Sequence, residues 1–358
     1  MSVFNINSKF SREININEEQ YLCFSGTDYL GLSVHPDFEK LVVEGFSKLG
    51  MNHGLSRVNN VRLSIFDEFE KKFAFGAGAE KSLVWSSGYL AGQAMLMYLF
   101  QRSDYTICSP DSHPAILPIG YKFEAKLTFK EWQERVFNTC EELSPQRILI
   151  LSNSVNPLVP EVYDFYWIHN LPAKHDYMLL LDDSHAFGVT GKGIFGTYSK
   201  WKHLSVDLYV TGSLAKGLAI PAGISIGKYS SMNELTNQPI FRGASPPTAA
   251  FLYAFLKSQE LYDTQQSALT DNLNFFKLLI SGIEGISYNQ NLPIFSIANQ
   301  KWVQHLEKNQ IIVSSFPYPA QTDPWINRIV LNANHTKSDL DFLGKTLFEI
   351  ENNEESCI

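Results

Sequence analysis

The stretch Tyr177-Met178-Leu179-Leu180-Leu181-Asp182-Asp183-Ser184-His185 passes from an apolar run straight into two carboxylates, a hydroxyl and an imidazole. Continuous rather than alternating apolar character predicts a strand covered on both faces, as in a parallel sheet. Such a sheet opens its ligand crevice at the carboxyl ends of its strands, which is where Asp182 to His185 fall. A second apolar run, Leu208-Tyr209-Val210, leads into Thr211-Gly212-Ser213-Leu214-Ala215-Lys216-Gly217. Lys216 is a solitary cation among Ser, Leu, Ala and Gly. An amine in such surroundings loses hydration, its pKa falls, and it can attack a carbonyl.

Outward from these two strands the alternation continues. Pro36 opens a helix that runs to about Leu49. Gly50 to Asn60 reads as loop, and Ile65, Phe66, Phe69 and Phe73 recur at helical spacing. Leu83-Val84-Trp85 is a short strand, followed by Ser86-Ser87-Gly88 and a helix to Phe100. That order aims free backbone N–H groups at an anion such as phosphate, though it also serves as a plain tight turn before a core helix. Tyr105 to Cys108 forms a strand ending at Ser109-Pro110-Asp111-Ser112-His113. Arg147 to Leu151 forms another, ending at Ser152-Asn153-Ser154, and Phe165 to Ala173 reads as helix. Strands alternating with helices imply a mostly parallel sheet covered on both faces. Beyond about residue 230 the texture changes to helices over Ala249–Gln259 and Ala268–Ile280, with strands near Ile294-Phe295-Ser296, Ile311-Ile312-Val313 and Arg328-Ile329-Val330-Leu331. The predicted class is α/β: an amino-terminal arm (1–35), a three-layer αβα large domain with a mostly parallel sheet (36–230) and a small α+β carboxy-terminal domain (231–358).

A formal charge of −8 argues against nucleic acid as the main partner, because a phosphate backbone needs a basic surface. The four cysteines, Cys23, Cys108, Cys140 and Cys357, have neither metal-ligand spacing nor a disulfide framework, which points to a reducing compartment and no metal. The polar, Asn-rich start lacks the apolar core of a signal peptide, and the most apolar stretch, Tyr89 to Phe100, is too short to span a bilayer. A soluble, cytoplasmic protein is expected. The lysine turn and the strand-ending carboxylate together suggest a pyridoxal phosphate site, with lysine for the Schiff base and aspartate for the ring nitrogen.

From Asp28 to His335 the chain resembles the α-oxoamine synthases. This family of fold-type-I pyridoxal phosphate enzymes contains 8-amino-7-oxononanoate synthase, glycine C-acetyltransferase and serine palmitoyltransferase. The resemblance rests on Asp28-Tyr29-Leu30-Gly31-Leu32, Ser56-Arg57, Phe69-Glu70, Ser87-Gly88-Tyr89, Ser112-His113, Asp182-Asp183-Ser184-His185, Ser213-Leu214-Ala215-Lys216 and Ser245-Pro246-Pro247, in that order. It implies that Lys216 carries the cofactor and moves the substrate Cα proton, and that Asp182 keeps the pyridine nitrogen protonated. It further implies that His185 bonds the phenolic oxygen and that His113 stacks on the ring. Ser87, Gly88, Tyr89 and Ser213 would hold the phosphate, with Asn153 also beside the cofactor. Ser245, with Arg242, Gly243 and Ala244, would reach the phosphate of the opposite subunit of a homodimer. Arg328 would bind the substrate carboxylate, as a guanidinium fork suits.

The likeness is strongest to 8-amino-7-oxononanoate synthase. It implies decarboxylative condensation of a small amino acid with an acyl thioester carried by coenzyme A or a carrier protein. Another synthase of the group using glycine, serine or alanine, an aminotransferase or lyase on the same fold, and a non-catalytic cofactor-binding protein are the alternatives. The chain departs from the family at Asn153, where relatives carry glutamate, and at Asn156-Pro157-Leu158-Val159-Pro160. Further departures are Val61, Phe66, Phe195 and Gly243-Ala244.

Overall fold

The computed structural model describes residues 3–122, 127–318 and 321–355. The chain opens with a hairpin, β1 (Glu13–Ile16) and β2 (Glu19–Phe24), whose turn residues Asn17 and Glu18 both have positive φ. Those angles match the right-handed twist of the two strands. Helix α1 (Pro36–Leu49) follows, with proline in its first turn and the His35 side chain accepting from the Asp37 N–H. Then come α2 (Ile65–Ala77), β3 (Lys81–Trp85), α3 (Gly88–Phe100), β4 (Tyr105–Cys108), α4 (Phe129–Glu142), β5 (Arg147–Asn153), the small hairpin of β6 (Val155–Asn156) and β7 (Glu161–Val162), β8 (Asp176–Asp182), β9 (Asp207–Ser213) and β10 (Gly223–Gly227). Helices Ala249–Lys257 and Gln259–Leu279 lead to β11 (Ile286–Tyr288), β12 (Ile294–Ile297), β13 (Ile311–Pro317) and β14 (Trp325–Val330), and the helix Lys337–Glu355 follows.

The larger sheet has the order β3-β10-β9-β8-β5-β4, and only β10 runs against the rest. Its strands are buried on both sides. Ile148, Ile150, Leu179, Leu181 and Val210 face one core with α2, α4 and helix Ala249–Lys257. Leu149, Leu151, Met178, Leu180 and Tyr209 face another with α3. The architecture is therefore a three-layer αβα unit with a smaller α+β unit after it. The smaller sheet, ordered β1-β2-β13-β14-β12-β11, takes its first two strands from the amino terminus, with β2 pairing parallel to β13.

Three local readings change. The helix expected over Phe165–Ala173 is a single 3-10 stretch, Tyr166–Asn170, stopped short of Pro172. Helix α4 was not anticipated, although Thr128 and Glu131 form a reciprocal capping box at its start. The helix expected from Ala268 begins at Gln259, directly after the preceding one.

Phe195 joins Phe73 and Phe255 in an aromatic cluster, its ring centroid 5.3 Å from that of Phe73. Phe66 lies under the Arg57 guanidinium, 4.7 Å from its ring centroid. Both departures from the family thus serve packing. Cys23, Cys108 and Cys140 are free and buried, and Cys357 lies outside the described residues.

A buried ion pair ties the loop before α2 to the sheet. Arg57 Nη2 lies 2.9 Å from Glu70 Oε1, which also accepts from the Val84 N–H at 2.8 Å. Removing one partner strands the other charge in the core. Arg57→Met and Glu70→Gln are each expected to lower unfolding stability, Arg57→Met by about 3 kcal/mol, and the double variant by less than the sum of the two. Urea unfolding of the three variants tests this, and additive losses would mean that the pair is not coupled.

Candidate active site

Asp182 ends β8, in register with Asn153 at the end of β5 and with Thr211 in β9. Parallel strands that stop together make the floor of one crevice. A cavity of about 210 Å³ stands over these ends and is lined by Asp182, His185, Lys216, His113, Asn153 and Arg328, together with Asp111, Tyr318 and Phe316. A larger cleft of about 580 Å³, between α2 and the helix Tyr229–Leu235, holds neither the lysine nor the strand-end carboxylate.

The Lys216 amine lies 3.0 Å from His185 Nε2. Burial lowers its pKa from the ordinary lysine value to about 8; Asp182 opposes that shift and Arg328 adds to it. The ammonium still predominates at pH 7, but the free base is far more accessible than in an ordinary lysine and reaches half the population near pH 8. His185 is partly buried in the cavity wall, with the Tyr29 hydroxyl 2.7 Å from its Nδ1. Burial, then the Lys216 and Arg328 charges, hold its pKa well below the ordinary value, so the ring is neutral.

His113 stands across from Asp182, with Nδ1 4.0 Å from Asp182 Oδ2. That nitrogen already accepts from the Ala115 N–H at 3.1 Å, and burial lowers the histidine pKa. The contact is a neutral ring beside a carboxylate, not an ion pair. Asp182 Oδ1 accepts from the Ser184 N–H at 2.8 Å. Its neighbour Asp183 points elsewhere, accepting from the Thr197 N–H and hydroxyl, and burial raises its pKa to about 6.

Asn153 is fully engaged. Its Oδ1 accepts from the His113 N–H at 3.1 Å and its Nδ2 donates to the Asp111 carbonyl at 2.6 Å. The Asp111 carboxylate in turn accepts from Tyr163 at 2.9 Å and from Ser109 at 3.1 Å, and burial raises its pKa. Arg328 reaches the cavity from β14. Its Nη1 donates to the Pro157 carbonyl at 3.0 Å, while its Nε is buried with no hydrogen-bond partner.

At the other end Ser87 caps α3, its hydroxyl accepting from the Leu90 N–H, which leaves Gly88 and Tyr89 in the first turn, where N–H groups have no intrahelical acceptor. A Cβ on Gly88 would fall 2.5 Å from that of Ser213, so only glycine lets this helix end meet the lysine turn. The Ser213 N–H donates to the Ser184 hydroxyl at 2.8 Å. Ser245 is exposed and lines a separate cleft with Met51 to Ser56, so one chain does not bring it to the cavity. Tyr29, Asp111, Tyr163, Phe316 and Tyr318 were not singled out as site residues from sequence. Tyr29 alone lay inside a quoted family segment.

The donor set suits pyridoxal phosphate: a desolvated lysine, a buried strand-end carboxylate, a flat neutral imidazole beside it and a helix amino terminus against the lysine turn. Fold and cavity define a fold-type-I pyridoxal phosphate enzyme. Residues 21–347 match the family of class I and II aminotransferases, and the chain belongs to that family. Within it the chain is of the α-oxoamine synthase kind, enzymes of pyridoxal phosphate-dependent condensation with acyl transfer.

Its relatives include the serine palmitoyltransferase of Sphingobacterium spiritivorum, 26% identical over 94% of this chain and 88% of that protein. The 8-amino-7-oxononanoate synthase of Petrotoga mobilis is 25% identical over 93% and 91%. Among solved structures, Sphingomonas wittichii serine palmitoyltransferase superposes with a TM-score of 0.81 at 17% identity, over 99% of this chain and 93% of that one. The 8-amino-7-oxononanoate synthase of Francisella tularensis gives 0.71 at 22%, over 94% and 99%. The likeness therefore does not single out 8-amino-7-oxononanoate synthase, and it favours the other synthases of the group. No helix among the described residues is long and apolar enough to cross a membrane.

Burying the Lys216 amine costs stability. Between about pH 8 and the ordinary lysine value of 10.5 the unfolded chain holds a proton that the folded chain does not, so stability falls as pH drops through that window and stays lowered beneath it. Lys216→Met should therefore stabilise the cofactor-free protein at pH 7 by about 2–3 kcal/mol, a gain that shrinks as pH rises toward 10. Urea unfolding at both pH values measures it; no gain at pH 7 would mean that the amine is hydrated.

Proposed function

We propose that the protein condenses a small amino acid with an acyl thioester, releasing carbon dioxide and a thiol, in the manner of serine palmitoyltransferase. The observation that carries this is Arg328: a buried guanidinium with an unbonded Nε, lining the cavity of Lys216, suits an incoming carboxylate. The likeness to the Sphingobacterium serine palmitoyltransferase supports serine and a long acyl chain. A reaction like that of 8-amino-7-oxononanoate synthase is the second reading, supported by the Petrotoga relative.

Pyridoxal phosphate, when bound, supplies a conjugated ring that takes up negative charge from the substrate carbon. In the proposed mechanism the Lys216 amine, which gives up its proton more readily than an ordinary lysine, would hold the cofactor and then remove the proton from the substrate Cα. Asp182 would keep a proton on the ring nitrogen, and His113 would cover one ring face. His185, whose Nε2 faces the Lys216 amine, would offer that nitrogen to the phenolic oxygen once the amine is engaged with the cofactor. Ser87, Gly88, Tyr89 and Ser213 bind the phosphate, and Asn153 fixes the His113 loop. Arg328 grips the amino-acid carboxylate until it leaves as carbon dioxide. Ser245 would complete the phosphate site of the partner in a cytoplasmic homodimer, in keeping with its exposure outside the cavity of its own chain.

Borohydride reduction in the presence of pyridoxal phosphate is expected to fix a phosphopyridoxyl group on the peptide containing Lys216; label on another lysine would overturn the assignment. Arg328→Lys keeps the charge but loses the planar fork, so amino-acid affinity should fall by about 1.5–3 kcal/mol with cofactor content unchanged. Spectral titration with glycine, alanine and serine reads this, and unchanged affinity for each would move the carboxylate elsewhere. Thiol release with palmitoyl against pimeloyl thioesters separates the two readings.

A further inference from the structure

We infer that Tyr29 is a positioning residue that sets the orientation and tautomer of His185. The inference deepens the reading above, since it concerns the imidazole that faces Lys216 there. Tyr29 is fully buried, in the Asp28–Leu32 segment between β2 and α1, and its hydroxyl meets His185 Nδ1 at 2.7 Å. The other ring nitrogen, Nε2, faces the Lys216 amine at 3.0 Å. The imidazole is thus held at both nitrogens, with one partner on each side.

The segment holding Tyr29 is itself pinned. The Ala333 N–H donates to the Tyr29 carbonyl at 2.9 Å, and the Gln265 side chain donates to the Leu30 carbonyl at 2.8 Å. Gly31, at φ 64°, sits so close to Asn334 that a Cβ there would fall 2.3 Å from its Nδ2. Tyr29 therefore has little freedom, and His185 inherits that rigidity.

A phenol hydroxyl both donates and accepts, which matters because the neighbour on Nε2 changes state. When Lys216 is an ammonium it donates to Nε2, so Nδ1 carries the hydrogen and donates to the Tyr29 oxygen. When Lys216 is a free amine, Nε2–H donates to it, and the Tyr29 O–H donates to Nδ1. Tyr29 satisfies either tautomer of a ring that stays neutral. Burial raises the Tyr29 pKa, so the hydroxyl keeps its proton. The other charged or titratable groups that bear on His185 are Arg328 and His113, both raising the cost of an imidazolium. Phenylalanine at 29 would fill the same space and leave Nδ1 buried without a partner.

The test uses Tyr29→Phe, with ¹⁵N-histidine NMR on cofactor-free protein and the pH dependence of the visible band on protein loaded with pyridoxal phosphate. The variant should shift the His185 ring nitrogens to a different tautomer ratio and displace the pH midpoint of the band. Turnover should fall roughly tenfold with the KM for the amino acid within about twofold, the size of one hydrogen bond at an active site. Unchanged ring-nitrogen shifts together with an unchanged spectral midpoint would overturn the inference, even if turnover fell. Should Tyr29→Phe not fold, 3,5-difluorotyrosine incorporated at position 29 preserves shape and makes a stronger donor. It should move the His185 nitrogen resonances, and a failure to move them would equally overturn the inference. A chain that binds no pyridoxal phosphate would defeat the proposed function, yet the NMR measurement would still decide the Tyr29–His185 contact.

Discussion

Everything at the site depends on a lysine amine held out of water at the carboxyl end of a sheet buried on both faces. The sheet can do this because β5 and β8 stop in register at Asn153 and Asp182, with Thr211 of β9 abreast and β9 running on to Ser213. The lysine turn then needs only a few residues to bring Lys216 to His185. Gly88 lets the end of α3 close on Ser213, so the lysine turn is flanked by free helix N–H groups on one side and carboxylate on the other. Desolvation that lowers the amine pKa would destabilise an idle protein, and a chemical use for the free base is what makes such burial intelligible.

The smaller sheet supplies what the larger one lacks. Arg328 sits on β14, paired opposite Ser314 of β13, and it is the cavity's cation from outside the αβα unit. Its placement requires the two sheets to keep a fixed relation. The amino-terminal strands help secure it: β2 pairs with β13, and the chain then runs directly into the Tyr29 segment, which bonds to Ala333 and Asn334. The same short stretch that touches His185 is thus sewn to the sheet that carries Arg328. Substrate carboxylate and lysine surroundings share one scaffold.

Much of this was legible because long apolar strands and the residues that end them are sequence-local. Tyr177 to Leu181 announces a doubly covered strand, and Asp182 its open end. Lys216 stands out by lacking charged neighbours. What was not legible depended on distance along the chain. Tyr29 meets His185 across 156 residues and Tyr163 meets Asp111 across 52, and neither pairing has a periodic or compositional sign. The pairing of β2 with β13 was equally silent, since a short strand of mixed polar and apolar residues does not name its neighbour. The helix over Phe165–Ala173 was misjudged because aromatic content mimicked helical spacing, while Pro172 ended it early.

The departures of this chain near the cavity make physical sense together rather than singly. A glutamate at position 153 would set a carboxylate against that of Asp111, whereas the amide of Asn153 donates to Asp111 and accepts from the His113 backbone. The carboxylate on this side of the cavity is that of Asp111, in the loop before His113, with Tyr163 and Ser109 as its donors. The proline-containing stretch after β5 changes the opposite wall, for Pro157 offers its carbonyl to Arg328 and Asn156 bonds the Tyr163 hydroxyl that serves Asp111. One segment thus touches the guanidinium directly and reaches the Asp111 carboxylate through Tyr163. A substitution at any of these positions alone would leave a buried donor or charge without its partner, so the positions are coupled through their hydrogen bonds.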